Sequence, residues 1–439
     1  MSESQNRTVW IGIVVITGVL LVFSSLLTLV ILQNKGFNTD GWVNISFPMW
    51  YEIPRAFTES SINQRRPVAG VYYALMLKAF DYDNNLTYFA AHTLLISAHT
   101  LMALALYVSF PKRPIMILSG VLVSFFWPDL LQLSAQLSAD NLRLANVFYW
   151  IGVLLYQYDM REHRPLNFSL LPPLFFLAAL LCYESVAALP VLTAALLLPL
   201  YLRRYQPFRL GHFLGTFVQL VVSHLLAFAA FTYVRGVYNI SSHWDRTDAN
   251  PARMIFDSTI LFLRDLHSRV LLPIHWNDPL ALLMGIWLIV GLGGVFYWLH
   301  RRNVTDGKLD VTDAYIALVA LAAWVAGMLP FAVYNFPASP GSRLYTTAIY
   351  GMALLVGLGV SLLWRRPWLR PVGIGLVVLW AGIGGANHVN LRHYMEAEHL
   401  TQTELFENWY RLAPALADDT TILFVDYGVG SVLAESDAD

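Results

Sequence analysis

Apolar residues along this chain come in long unbroken runs, separated by short polar stretches and a few long ones. Sustained hydrophobicity over roughly 20 residues marks a helix that crosses a bilayer, because each residue adds only ~1.5 Å toward a hydrocarbon core ~30 Å thick. The pattern predicts eleven spans, at 9–32, 86–110, 114–127, 142–158, 169–182, 186–202, 211–233, 279–299, 312–333, 344–364 and 371–388. The third and fifth are short enough to be tilted or half-inserted. The run Val9 to Leu32 is too long for a signal-peptide core and lacks a small-residue cleavage site, so it reads as a retained first helix. The predicted fold class is an all-α membrane protein with about eleven transmembrane helices.

The polar segments between the runs alternate in character. One set is short and basic: Lys112 and Arg113; Arg161 and Arg164; Arg203, Arg204 and Arg209; Arg301, Arg302 and Lys308; Arg365, Arg366 and Arg370. The other set is long, acidic and aromatic: 33–85, 234–278 and 389–439. The 28 Lys and Arg divide about equally between the two sides of the membrane, but the segments on the basic side are about a quarter as long in total. The positive-inside rule then places the basic loops in the cytoplasm, the N-terminus in and the C-terminus out. The alternation holds at every turn only if 169–182 and 186–202 form a hairpin with Tyr183-Glu184 at its outer end.

The expected domains are a polytopic region, 1–390, and a small soluble outer tail, 391–439. Within the first outer loop, 33–85, the stretch from Arg66-Pro67 to Phe80 is apolar enough for an interfacial helix. In the second large outer loop, 234–278, Pro251 opens an amphipathic stretch of the same kind, running to 272. The tail opens with Thr401-x-x-Glu404, a capping-box pattern, and then turns into a β-type run, Thr421 to Val425. The chain stops soon after that run, which is the expectation for a truncated domain.

Composition adds to this picture. The 439 residues are 57% hydrophobic and only 13% charged, about half the charged fraction of a soluble chain. A net charge of −1 gives no reason to expect a nucleic-acid partner. The single cysteine, Cys182, excludes an intrachain disulfide or a cysteine-based metal site, and reads as a small core residue.

The residues that could carry chemistry cluster in the outer segments. Asp40, between glycines Gly36 and Gly41, could act as general base toward an acceptor hydroxyl, or simply form a turn. Arg65 and Arg66 place two guanidinium groups outside the membrane, against the basic trend, and suit either lipid headgroups or a phosphate substrate. Ser342-Arg343-Leu-Tyr345 follows a Pro-rich loop; Arg343 could clamp a leaving phosphate or only snorkel. Asp140-Asn141 and Glu184 sit at outer helix ends, where a functional acid competes with a turn residue near water. His92 and His99, seven apart, share one face of the second span; His224 and His267 show no ligand spacing, and polar packing is the competing reading for all four. Asn44-Ile-Ser, Asn85-Leu-Thr and Asn239-Ile-Ser are outward glycosylation sequons, informative only in a eukaryotic host.

In order and spacing over roughly 1–390, the chain resembles the GT-C class of polytopic glycosyltransferases. It is most similar to bacterial relatives of the protein O-mannosyltransferases and the tetratricopeptide-repeat mannosyltransferases. Five places carry the resemblance: the acidic first loop with Asp40; Arg66-Pro67 followed by Tyr88-Phe-Ala-Ala-His92; Trp127-Pro-Asp-Leu-Leu-Gln with Ser138-Ala-Asp140-Asn-Leu; Tyr183-Glu184 leading to Leu189-Pro190; and Arg343-Leu-Tyr345. Three departures stand beside them. Asp40 is followed by Gly41 where many relatives have a Glu, Tyr183 replaces a Lys, and the repeat-bearing tail is absent. The resemblance implies transfer of a sugar, with inversion, from a polyprenyl-phosphate donor to a hydroxyl acceptor on a protein, glycan or lipid. Asp40 would be the base and Arg66 and Arg343 would neutralise the departing phosphate. Arg65, Tyr345, Glu184, Asp140 and His92 would complete the substrate site, on the extracytoplasmic face of the cell membrane. No cofactor is expected, and a divalent metal is left open.

The rival reading is a transporter or lipid flippase. Such proteins tend to carry charge at mid-membrane and matched broken helices, and the spans here hold almost no deep charge. A scaffold whose tail binds a partner is a third reading, disfavoured by the shortness of that tail.

Overall fold

The computed structural model describes residues 3–31, 66–80, 84–127, 140–162, 170–237, 250–271, 277–332 and 346–412. These are helical almost throughout, and among them there is no strand. In chain order the helices are α1 (Glu3–Leu26, ending in a π turn, Leu27–Ile31), α2 (Pro67–Ala79), α3 (Asn84–Ser109), α4 (Pro114–Phe125) and α5 (Asp140–Arg161). They continue with α6 (Leu171–Cys182), a 3₁₀ turn (Glu184–Ala188), α7 (Pro190–Arg204), α8 (Leu210–Val237) and α9 (Pro251–Leu271). The last are α10 (Pro279–Arg301), α11 (Val311–Ala332), α12 (Thr346–Trp364) and α13 (Arg370–Leu412).

Every span predicted from the apolar runs coincides with a helix, and prolines set several of the starts: Pro67, Pro114, Pro190 and Pro279 each stand at a first turn, where a missing N–H costs nothing. Among the described residues seven helices are long and apolar enough to span a bilayer: α1, α3, α8, α10, α11, α12 and the first part of α13. Helices α4 and α6 have 12 residues each, only ~18 Å at the helical rise. Every residue of α4 is buried, so this helix is a core element surrounded by protein. Helix α7 has 15 residues and ends in Arg203-Arg204, and α5 carries Arg143, Asp159 and Arg161 near its ends.

Both expected amphipathic segments form helices. α9 pairs Arg253 with Asp257 on its exposed face and packs its other face on α11, where Trp324 donates its indole N–H to Thr259 Oγ1 at 3.0 Å. Phe256, Ile260 and Leu263 remain exposed, as on a helix lying along an apolar phase.

The tail departs from expectation. Thr401-x-x-Glu404 does not open a helix but lies inside α13, which continues unbroken to Leu412. No Gly or Pro occurs between Asn387 and Leu412, so nothing in the chain stops the helix that begins at Arg370. The β-type run at 421–425 lies outside the described residues. The chain divides into two compact units, Met1–Glu396 and Ala397–Asp439.

Within the first unit α12 is wedged between α11 and α4 at backbone contact. A Cβ on Gly351 would collide with Ala320 O and Trp324 N, and one on Gly357 with Met116 O. Small residues at helix crossings are how apolar helices gain close packing where burial alone offers no drive. Replacing Gly351 with Ala should therefore cost about 1–3 kcal/mol of overpacking, seen as a lower thermal midpoint in detergent. Gly359, on the same helix with nothing within 4 Å of a Cβ, is the control: Gly359→Ala should be neutral or raise the midpoint, by up to ~1 kcal/mol of helix propensity.

Side-chain contacts show which helix ends share a face. Asn6 at the start of α1 accepts a hydrogen bond from Tyr107 at the end of α3. Arg203, at the end of α7, donates to the carbonyls of Val108 and Ser109 at the end of α3. Arg113 before α4, Asp313 in the first turn of α11 and Arg365 after α12 form one ionic knot. Asp306, in the turn before α11, accepts the Ile115 and Met116 N–H groups at 2.8 and 3.1 Å and so caps α4. Burial pushes the Asp306 carboxyl up, against the pull of those N–H groups and of Arg113. The basic turns thus gather at one end of the bundle. Arg66 and Glu184 lie at the opposite helix ends, and His92 lies about two turns inside the start of α3.

Candidate functional site

Arg66 occupies the N-cap position of α2, where Pro67 fixes the entry of the chain into the helix. Its guanidinium lies over the ring of Tyr183, with Cζ 4.3 Å from the centroid, and its Nε lies 3.9 Å from Glu184 Oε2. Tyr183 reaches this position because α6 stops at Cys182. Tyr183 itself is extended (φ −160°, ψ 129°), Glu184–Ala188 form a 3₁₀ turn, and Pro190 starts the return helix α7. Tyr183-Glu184 thus stand at a break between two helices, and α2 packs against the first of them, α6.

The contact between Arg66 and Glu184 is electrostatic rather than a hydrogen bond. At 3.9 Å it exceeds the ~2.7–2.9 Å of a charge-assisted bond, and Arg66 Nε is buried with no hydrogen-bond partner among the described residues. The Arg66 side chain is 20% exposed and that of Glu184 28%, so both keep an open side. Ser185 beside them is buried, and its hydroxyl has no hydrogen-bond partner among the described residues. A guanidinium held by a ring face and a distant carboxylate keeps its planar donor fork available for a doubly bonded oxyanion.

A second polar layer lies inside the same ends of α3, α5 and α13. The His92 ring is buried, 6.3 Å from that of His388, whose Nδ1 lies 2.8 Å from Gly384 O. Phe23, Phe125 and Phe126 surround His388. Arg143 is buried within electrostatic range of His388. Asn141 is buried with both amide atoms unpartnered among the described residues, and Asn387 and Asn390 are buried beside His388 in sequence. Further along, Asp278 caps α10 through the Leu280 and Ala281 N–H groups and sits 3.0 Å from His393 Nε2.

Of the residues predicted from sequence, Arg66 and Glu184 are brought together, and His92 lies in the second layer. Asp140 begins α5, and its side chain is outside the described residues. Asp40, Arg65, Arg343 and Tyr345 also lie outside them. His99 and His224 are packing residues. His99 Nδ1 lies 2.8 Å from Leu95 O and Nε2 3.1 Å from Ser124 Oγ, while His224 Nδ1 lies 2.7 Å from Leu220 O with its ring stacked on Tyr156. The side chain of His267 is outside the described residues. Cys182 is a buried free thiol.

Sequence reasoning passed over Arg143, Asn387, His388 and Asn390. The signal was available in Asn387-His388-Val-Asn390, three polar side chains at the end of an otherwise apolar run. Among the described residues no group of three or more His, Cys, Asp or Glu side chains could hold a metal ion. Compared with known proteins, the chain matches no family model, no curated protein and no solved structure.

Proposed function

We propose that the chain is a GT-C-type glycosyltransferase, moving a sugar from a polyprenyl-phosphate donor to a hydroxyl acceptor with inversion. Asp40 takes the proton of the acceptor hydroxyl as that oxygen attacks the anomeric carbon. The bond from that carbon to the donor phosphate oxygen breaks, and the electron pair leaves with the polyprenyl phosphate. Arg66 and Arg343 stabilise the charge that develops there. The basic turns face the cytoplasm, and the chemistry lies on the other side of the cell membrane.

The observation that carries this reading is the meeting of Arg66 with Tyr183-Glu184. These two motifs stand far apart in sequence, both belong to the resemblance, and they assemble around an arginine whose Nε has no hydrogen-bond partner among the described residues. Glu184 holds the guanidinium's orientation without consuming its hydrogen-bonding fork.

The distribution of buried charge weighs against transport. The buried Arg and Asp side chains among the described residues are Arg113, Arg143, Asp159, Asp278, Asp306 and Asp313. Each stands in a turn or within the first or last few residues of a helix, and none at mid-span where a transported ion or substrate would be held.

Arg66→Ala should lower transfer from labelled polyprenyl-phosphate sugars about hundredfold in kcat, the scale on which removing one oxyanion donor acts. Arg66→Lys should restore only part of this, since an ammonium keeps the charge but loses the planar fork. Wild-type turnover in Arg66→Ala would remove Arg66 from the site.

A further inference from the structure

At the basic end of the bundle, a cleft of about 260 Å³ opens between the ends of α5 and α7. Its lining is Met160, Arg161, Leu200, Arg203 and Arg204. Arg203 is held rigidly: Nε donates to Pro199 O at 3.0 Å, and Nη2 to Val108 O and Ser109 O at 3.1 and 2.6 Å. Its Nη1 has no protein partner among the described residues and remains free to donate. Arg161 lies close enough to Arg203 for their charges to repel. Asp159 and Glu162, the acids nearest in sequence, form no ion pair with any of the three arginines among the described residues. This sets the cleft apart from the ionic knot at the same end, where Asp310 and Asp313 neutralise Arg113 and Arg365.

We propose that this cleft binds the phosphate headgroup of an anionic phospholipid. Three guanidinium groups around one concavity suit a phosphodiester, which accepts several N–H donors at once. The apolar surroundings favour a lipid over free phosphate. Met160 and Leu200 belong to a small core with Tyr201 and Leu220, on which Phe208, Phe213 and Phe217 also pack. Phe208, Leu210 and Leu214 stay exposed next to it, and only 17% of the apolar window of α8 is buried in protein. Acyl chains have that surface to lie on while the headgroup enters the cleft. Basic pockets between helices at the charged side of a membrane protein recognise anionic lipids on these terms.

The test uses the full chain in a neutral detergent, titrated with dihexanoyl phosphatidylglycerol, dihexanoyl phosphatidylcholine or inorganic phosphate while the thermal midpoint is followed. Phosphatidylglycerol should raise the midpoint of the wild type, and the other two should not at equal concentration. The double variant Arg161→Gln/Arg204→Gln leaves Arg203 and its carbonyl contacts in place. It should elute as the wild type does on size exclusion and need at least tenfold more phosphatidylglycerol for the same shift. Lys308→Gln/Arg366→Gln removes two exposed charges at the same end, outside the cleft, and should respond as the wild type does. A full response in the Arg161/Arg204 variant, or an equal loss in the Lys308/Arg366 variant, would overturn the site. A response to inorganic phosphate equal to that for the lipid would overturn the assignment to a phospholipid.

Discussion

Asp313→Ala is expected to destabilise the protein by about 3–5 kcal/mol, the range for removing one member of a buried ion pair. The reason is the geometry of the knot at the basic end. Asp313 accepts Arg113 Nε at 2.9 Å and Nη2 at 3.1 Å, and Arg365 Nη1 at 3.0 Å and Nη2 at 2.7 Å. The Arg113 side chain is 1% exposed, so without Asp313 its charge must stay out of water with Asp310 as its one remaining ion-pair partner among the described residues. Asp313 also accepts the Asp310 N–H at 3.0 Å, so its loss loosens the turn before α11 as well. The effect should be graded around the knot. Asp310, whose side chain is 52% exposed, should cost under ~1 kcal/mol when replaced by Ala, as surface pairs do. Arg365→Ala should fall between the two, because Arg113 still neutralises Asp313. Thermal unfolding of the purified variants in one detergent reads the order. Equal midpoints for Asp310→Ala and Asp313→Ala would show that burial does not set the strength of this network.

Asp40→Asn is expected to lower the transfer rate by roughly a hundredfold to ten-thousandfold, the contribution of a positioned general base. Asparagine keeps the size and most of the hydrogen-bonding capacity of the side chain, so donor binding should change little and the loss should fall on kcat. The pH profile carries an independent signature. Wild-type activity should decline on the acid side as the base becomes protonated, and the residual activity of the variant should lack that limb. A variant as active as the wild type would exclude Asp40 as the base and leave another acid of the outer segments to take the proton.

The fold was legible in the sequence to the extent that a single local property decided it. Apolar runs without breakers give helices, and each predicted span contains one. The Tyr183-Glu184 turn could be placed because Pro190 starts a helix and the loop alternation needs a reversal there. Which of these helices protein surrounds was less legible. Hydrophobicity alone does not distinguish a helix facing lipid from one buried in protein, and α4 is apolar because α12 packs against it. The end of α13 was misplaced because Thr401-x-x-Glu404 has the letters of a cap, whereas the preceding residues offer nothing to end the helix that already runs through it.

The site was legible in part. Arg66 and Glu184 were singled out separately, one as a phosphate ligand and the other as an acid at a helix end. Their meeting depends on α2 lying against α6, which no local pattern encodes. The ionic knot was illegible for the same reason. Arg113 and Arg365 were read as charges that orient the chain, and their partner Asp313 stands far from both in sequence. Its one signal was the run Asp306, Asp310, Asp313 inside a turn that is otherwise basic.

The central claim is glycosyl transfer from a polyprenyl-phosphate donor. Its most direct test is to reconstitute the full chain in liposomes with labelled polyprenyl-phosphate sugars and follow both the sugar and the lipid. Inverting transfer should consume one donor, release polyprenyl phosphate in equal amount, and give a product of opposite anomeric configuration. Donors that cross the bilayer uncleaved would contradict it in favour of a flippase, and a product of retained configuration would contradict the single displacement assigned to Asp40.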